Sequence, residues 1–127
     1  MVTDPIADLL VRLQNAARVR KADVSVSYSA MKLAIAEILA REGYTGKIDK
    51  KNKNALTIPL VYKDGKPAIS GVKRLSKLSR RVYVGVRDIH PVKRGRGLLV
   101  LSTPAGVVTG KEAQEKRVGG EVLFEIW

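Results

Sequence analysis

The strongest constraint on the fold is residues 98–121, LLVLSTPAGVVTGKEAQEKRVGGE, which place a strand, a turn and a helix within one short stretch. Leu98 to Leu101 is a continuous apolar run, the pattern of a strand buried on both faces. Ser102, Thr103, Pro104, Ala105 and Gly106 then break it. Pro104 lacks an N–H and Gly106 tolerates positive φ, so the chain must turn and present two hydroxyls at the end of a rigid strand. Such a turn has the form of a recognition loop. Thr109, followed three residues later by Glu112, is the spacing of a capping box, which predicts a short helix from about Gly110 to before Gly119. The closing run alternates Val122, Phe124 and Ile126 against Leu123, Glu125 and Trp127. Placed as a strand beside Leu98–Leu101, it brings Gly119, Gly120 and Glu121 next to the Ser102–Thr103 turn.

Charge then decides what such a turn is offered to. Lys and Arg number 24 against 12 Asp and Glu, a formal charge of +12 with a pI near 10.2. A polyanion is the expected partner, because neutralising phosphates releases condensed counterions. The excess is uneven: residues 1–64 hold 11 basic and 7 acidic groups, residues 65–127 hold 13 and 5. The C-terminal half is therefore expected to face the polyanion more heavily. At 127 residues and 45% hydrophobic, the chain can bury a core as one domain or two small lobes without a metal or disulfide. It contains no cysteine, which excludes a disulfide framework and thiol chemistry. No apolar run reaches the roughly 20 residues of a membrane span, and Asp4, Pro5 and Asp8 interrupt the N-terminus where a signal peptide needs an apolar core.

Taken in order, Asp4 and Pro5 suit a helix start, and Ile6, Leu9, Leu10, Leu13, Ala16 and Ala17 recur at helical spacing. Arg12 lies on the opposite face. It is either a phosphate contact or half of an i, i+4 ion pair with Asp8. Val24–Tyr28 alternates like a half-buried strand, Ser29 caps a second helix with Met31, Ala34, Ile35, Ile38 and Leu39 as its apolar face, and Gly43 ends it. Strands are expected at Tyr44–Asp49 and Ala55–Tyr62 around an exposed Lys50–Asn54 tip. The turn signal Asp64-Gly65-Lys66-Pro67 marks the expected change of lobe. Ala68–Leu75 and Arg81–Val86 have strand character. Between Lys73 and Arg96 lie nine basic residues and one acidic residue, with Tyr83 among them, a density suited to RNA phosphates. Arg80, Arg81 and Tyr83, and the glycine-interrupted loop with Lys93, Arg94 and Arg96, are the candidates there.

An enzyme constellation is missing. His90 is the only histidine, and a Ser102–His90 pair, the basis of a small-hydrolase alternative, lacks a third member and the strand-nucleophile-helix glycine pattern. Gly106–Lys111 imitates a phosphate loop but is one residue short, with Glu112 where a magnesium-binding hydroxyl belongs. Without cysteine a conventional zinc site cannot be assembled within one chain. No cofactor, metal or small-molecule substrate is implied.

Three blocks carry a resemblance. STxxGVxT with its short helix and GGE, the opening DPIADLL with Arg12 and Asn15, and AIAEIL ending in REGY occur in the order of the small-subunit ribosomal protein eight family, across nearly the whole chain. The chain departs from that family's pattern at Pro104, where the usual turn is Ser-Thr-Ser, and at Leu78-Ser79, where a Pro-Gly turn is common. The loop with Arg96 is also more basic. The resemblance implies an α+β fold in two small lobes: residues 1–65 as helix, strand, helix, strand, strand, and residues 66–127 as an RNA-binding, mainly antiparallel β lobe with one short helix. It implies a structural constituent of the small ribosomal subunit in the cytoplasm. That protein would bind the central domain of 16S rRNA, promote assembly beside neighbouring ribosomal proteins and, in some bacteria, repress its own operon's messenger. The RNA-binding candidates are Ser102, Thr103, Pro104, Gly106, Glu121, Lys93, Arg94, Arg96, Arg80, Arg81, Tyr83 and Arg12. Glu121 repels phosphate but can accept from base amino groups. A non-specific nucleic-acid-binding protein is the alternative that charge alone allows.

Overall fold

A computed structural model of the chain describes residues 4–52, 54–77, 79–90 and 97–127. Its contacts divide into two units, Pro5–Ser70 and Gly71–Trp127 with Asp4. The Asp64-Gly65 turn lies inside the first unit, between two short paired strands.

The first unit opens with α1 (Pro5–Arg18), whose apolar stripe Ile6, Leu9, Leu10, Leu13, Ala16 and Ala17 is buried as its spacing requires. β1 (Asp23–Ser27) follows with strict alternation, Val24 and Val26 inward. Ser29 caps α2 (Ala30–Arg41), its hydroxyl accepting from the Lys32 amide at 3.1 Å. Gly43, at φ +86°, releases the chain from the helix. β2 (Asp49–Asn52) and β3 (Ala55–Pro59) complete an antiparallel sheet of order β1-β3-β2, with Val26 opposite Leu56 and Val24 opposite Ile58. β4 (Tyr62–Lys63) and β5 (Lys66–Pro67) form a small hairpin. Each fully buried aliphatic side chain here contributes about 1.5–3 kcal/mol by leaving water.

Two expectations are corrected in this unit. The strand expected at Tyr44–Asp49 is reduced to an isolated bridge between Thr45 and Leu60, and regular pairing begins only at Asp49. Pro59 explains the break, because it has no N–H to offer a ladder, and Gly46 instead donates to the Pro59 carbonyl at 2.9 Å. The apolar face of α2 is also rotated: Met31 is 38% exposed, whereas Lys32 is 7% exposed. The Lys32 stem lies in the helix phase of Ile35, Ala36 and Leu39, and its ammonium donates to the Ser27 hydroxyl at 2.9 Å.

The second unit is a five-stranded antiparallel sheet. β6 (Val72–Arg74) and β7 (Tyr83–Val84) both pair with β10 (Gly120–Ile126), which pairs on its other side with β8 (Leu98–Thr103), and β8 with β9 (Gly106–Thr109). Strand character expected over Ala68–Leu75 and Arg81–Val86 is realised only as these short pieces, and Val86–Asp88 forms a 3-10 turn. α3 (Gly110–Glu115) begins at Thr109 with the complete capping box: the Thr109 hydroxyl accepts from the Glu112 amide at 3.2 Å, and the Glu112 carboxylate from the Thr109 amide at 3.1 Å. Ala113, Leu101, Val108, Val122 and Ile89 form the core beneath it. β10 is not a simple alternation, since a register shift between Val122 and Phe124 buries Val122, Leu123 and Phe124 in succession.

Candidate nucleic-acid interface

β8 and β9 are the two arms of a hairpin closed by Pro104 and Ala105, with Thr103 opposite Gly106. Proline fixes φ at the first turning position, and Gly106 leaves the turn at φ +109°. A Cβ at Gly106 would meet nothing within 4 Å, so glycine is needed there for backbone conformation alone. The two hydroxyls have different duties. Thr103 Oγ1 donates to the Gly106 carbonyl at 2.8 Å and accepts from the Ala105 amide at 3.1 Å, so it holds the turn closed. No donor or acceptor among the described residues takes up the Ser102 hydroxyl.

The register across the sheet assembles the other candidates. Tyr83 on β7 lies opposite Glu121 on β10, Glu121 lies opposite Ser102 on β8, and Ser102 lies opposite Val107 on β9. These four therefore share one row and one face. Tyr83 is 69% exposed, a large aromatic surface at one end of the row. Positions 119 and 120 are glycine for a steric reason: a Cβ on Gly119 would collide with the Val84 carbonyl, and one on Gly120 with the Ser102 carbonyl. The glycine pair lets three strands close up beside the turn.

Residues 4–127 match the protein family described as Ribosomal protein S8. The chain belongs to that family. It is 51% identical over 127 residues to the small ribosomal subunit protein uS8 of Oleidesulfovibrio alaskensis and 50% to that of Desulfovibrio desulfuricans, each covering all of both chains. Against the uS8 of Roseiflexus castenholzii the identity is 48% over 130 residues, covering 99% of this chain and 98% of the relative. The family is one of ribosomal proteins, not of enzymes.

Within this ribosomal protein S8 family member, Glu121 is less open than the sequence reading allowed. Its Oε2 accepts from the Ser76 hydroxyl and from Arg81 Nη1 at 3.1 Å, and its side chain is only 15% exposed. Burial pushes the Glu121 carboxyl up, but the bonds from Ser76 and Arg81 and the positive charges of Arg81 and Arg74 outweigh it. The group is held below the usual carboxylate range. Oε1 receives no bond from the described residues.

Arg80 and Arg81 are exposed on the segment that leads into β7. Lys93, Arg94 and Arg96 lie outside the described residues. Arg12 sits on α1 in the first unit, paired with Asp8 at 3.0 Å, both side chains more than half exposed. Arg74, counted in the basic stretch, is engaged instead with Asp4 at 3.2 and 3.4 Å and with the Leu123 carbonyl at 2.6 Å. Sequence reasoning passed over Ser76, which is fully buried. A serine within a basic stretch carries no mark of burial; the register of β6 and β7 on β10 reveals it.

Proposed function

We propose that this chain binds small-subunit ribosomal RNA directly, as an architectural component without catalysis. The observation that carries the reading is the Tyr83–Glu121–Ser102 row, where an exposed ring, a partly shielded carboxylate and an open hydroxyl share one face, with Arg80 and Arg81 on the adjoining loop. Each type has a use on RNA. Tyr83 offers a stacking surface to an unpaired base, Ser102 reaches a ribose hydroxyl or base edge, and Glu121 Oε1 accepts from a base amino group. Arg80 and Arg81, with Lys93, Arg94 and Arg96 preceding β8 in the sequence, attract phosphates. Thr103, Pro104 and Gly106 shape the hairpin, and Arg12 adds a phosphate contact from the first unit when it leaves Asp8.

We further propose that the bound RNA is the central domain of 16S rRNA and that binding promotes subunit assembly beside neighbouring ribosomal proteins; repression of the operon's own messenger through a similar RNA fold, which the resemblance implies for some bacteria, would use the same surface. Footprinting on protein-free 16S rRNA tests this. The expected result is protection confined to one irregular helical region of the central domain; protection spread over the whole RNA would establish the coating alternative instead.

A further inference from the structure

Val72–Leu75 and Val82–Val84 bond to β10 as two short pieces. Arg74 lies opposite Phe124, the Leu75 amide donates to the Leu123 carbonyl at 3.1 Å, the Val122 amide donates to the Val82 carbonyl at 3.0 Å, and Tyr83 lies opposite Glu121. Among the described residues of this stretch, Ser76, Lys77 and Ser79–Arg81 lie off the ladder. They include the cations Lys77, Arg80 and Arg81, and Lys77 and Arg80 exchange backbone bonds at 2.9 and 3.0 Å. Ser76 stands where the chain departs. Its hydroxyl accepts from the Val82 amide, where the chain returns, at 3.1 Å, and donates to Glu121 Oε2, the oxygen that also receives Arg81. A hydroxyl with no exposure costs stability unless both its donor and acceptor roles are filled, and here both are filled by the two ends of the excursion and the strand beside it.

We infer that Ser76 is a positioning residue for RNA binding: through Glu121 it fixes the cationic loop in register with Tyr83 and Ser102, so that phosphate and base contacts meet one RNA together. The inference rests on the RNA-binding reading above. Ser76 cannot touch RNA itself. Its effect is preorganisation, which removes the ordering cost that a swinging basic loop imposes on each contact.

The test measures Ser76→Ala, Ser76→Cys and Ser102→Ala in the full chain, well below their melting temperatures. The probes are a central-domain 16S rRNA fragment and an unrelated hairpin RNA of equal length. Ser76→Ala should weaken binding to the fragment about three- to tenfold, the scale of one lost hydrogen bond, with a shallower salt slope. Binding to the unrelated hairpin should change by less than about twofold, since loose phosphate attraction needs no register. Ser76→Cys, which keeps a weaker donor on a somewhat larger side chain, should fall between, and it decides the matter by the same criteria if the alanine variant does not fold. A lower melting temperature with unchanged affinity and selectivity would reduce Ser76 to a purely structural role and overturn the inference. Ser102→Ala separates the two ideas. If it weakens cognate binding while Ser76 variants do not, the positioning idea alone fails; if none of them has an effect, the face is not the binding site and both fail.

Discussion

Ser102 and Thr103 are adjacent and chemically alike, yet the hairpin gives them separate work. Thr103 closes the turn through two hydrogen bonds, whereas the Ser102 hydroxyl is uncommitted among the described residues. Thr103→Ala should therefore lower unfolding free energy by about 0.5–1.5 kcal/mol in urea denaturation, and Ser102→Ala should leave it within about 0.5 kcal/mol. RNA affinity should fall in both, for different reasons. Equal stability losses would show that the hydroxyls share one role. Tyr83→Ala should cost about 1–3 kcal/mol of cognate RNA affinity if its ring stacks on a base, with little change in stability because the ring is already exposed. Glu121 makes a pH prediction whose sign is fixed by its lowered pKa. A depressed folded value means the carboxylate stabilises the fold fully above its ordinary value of 4.5, and that contribution disappears as pH falls through the lower folded value. The stability difference between the wild type and Glu121→Gln should therefore shrink as urea titrations are taken below pH 4.5. A difference that widens there would contradict the assignment.

At the level of elements, the parts of the chain that announce themselves by local chemistry were legible in the sequence. The α1 stripe, the Ser29 cap, the Thr109–Glu112 capping box and the strand pair bringing Glu121 to Ser102 all follow from spacing and turn residues. Thr109→Ala, which removes one side of the capping box, should cost about 1 kcal/mol in thermal or urea unfolding. What local patterns could not show depends on partners far away in sequence. Pro59 interrupts a strand whose residues, Tyr44–Asp49, look regular on their own. Lys32 is buried because Ser27 waits for its ammonium, a fact no apolar count contains. Met31 shares the helical spacing of the apolar face, yet it stays 38% exposed. Lys32→Met tests the energetic reading: a buried charge replaced by an apolar chain of similar length should leave stability near or above the wild-type value, whereas Lys32→Ala should lower it by opening a cavity. The candidate site divides in the same way. Its hairpin was readable, but the tether of residues 76–81 required the five-strand register.

For the molecule as a whole, a formal charge of +12 guarantees attraction to any nucleic acid, so attraction by itself identifies nothing. Selection is proposed to come from one face of the unit Gly71–Trp127, the Tyr83–Glu121–Ser102 row, with the surrounding cations supplying sequence-independent affinity. Each phosphate contact should appear as roughly 0.7–0.9 in the slope of log affinity against log salt, while the row's contribution should persist as salt rises. The most direct measurement is therefore a competition titration of the central-domain 16S rRNA fragment against unrelated RNA of equal length over a range of salt, using the wild type and the Ser102→Ala/Tyr83→Ala pair. The expected result is that the wild type prefers the fragment at every salt concentration, that a preference remains at the highest salt where phosphate attraction is suppressed, and that the double variant loses it while keeping nearly the same salt slope. Equal affinity of the wild type for both RNAs, or a double variant with selectivity intact, would contradict it.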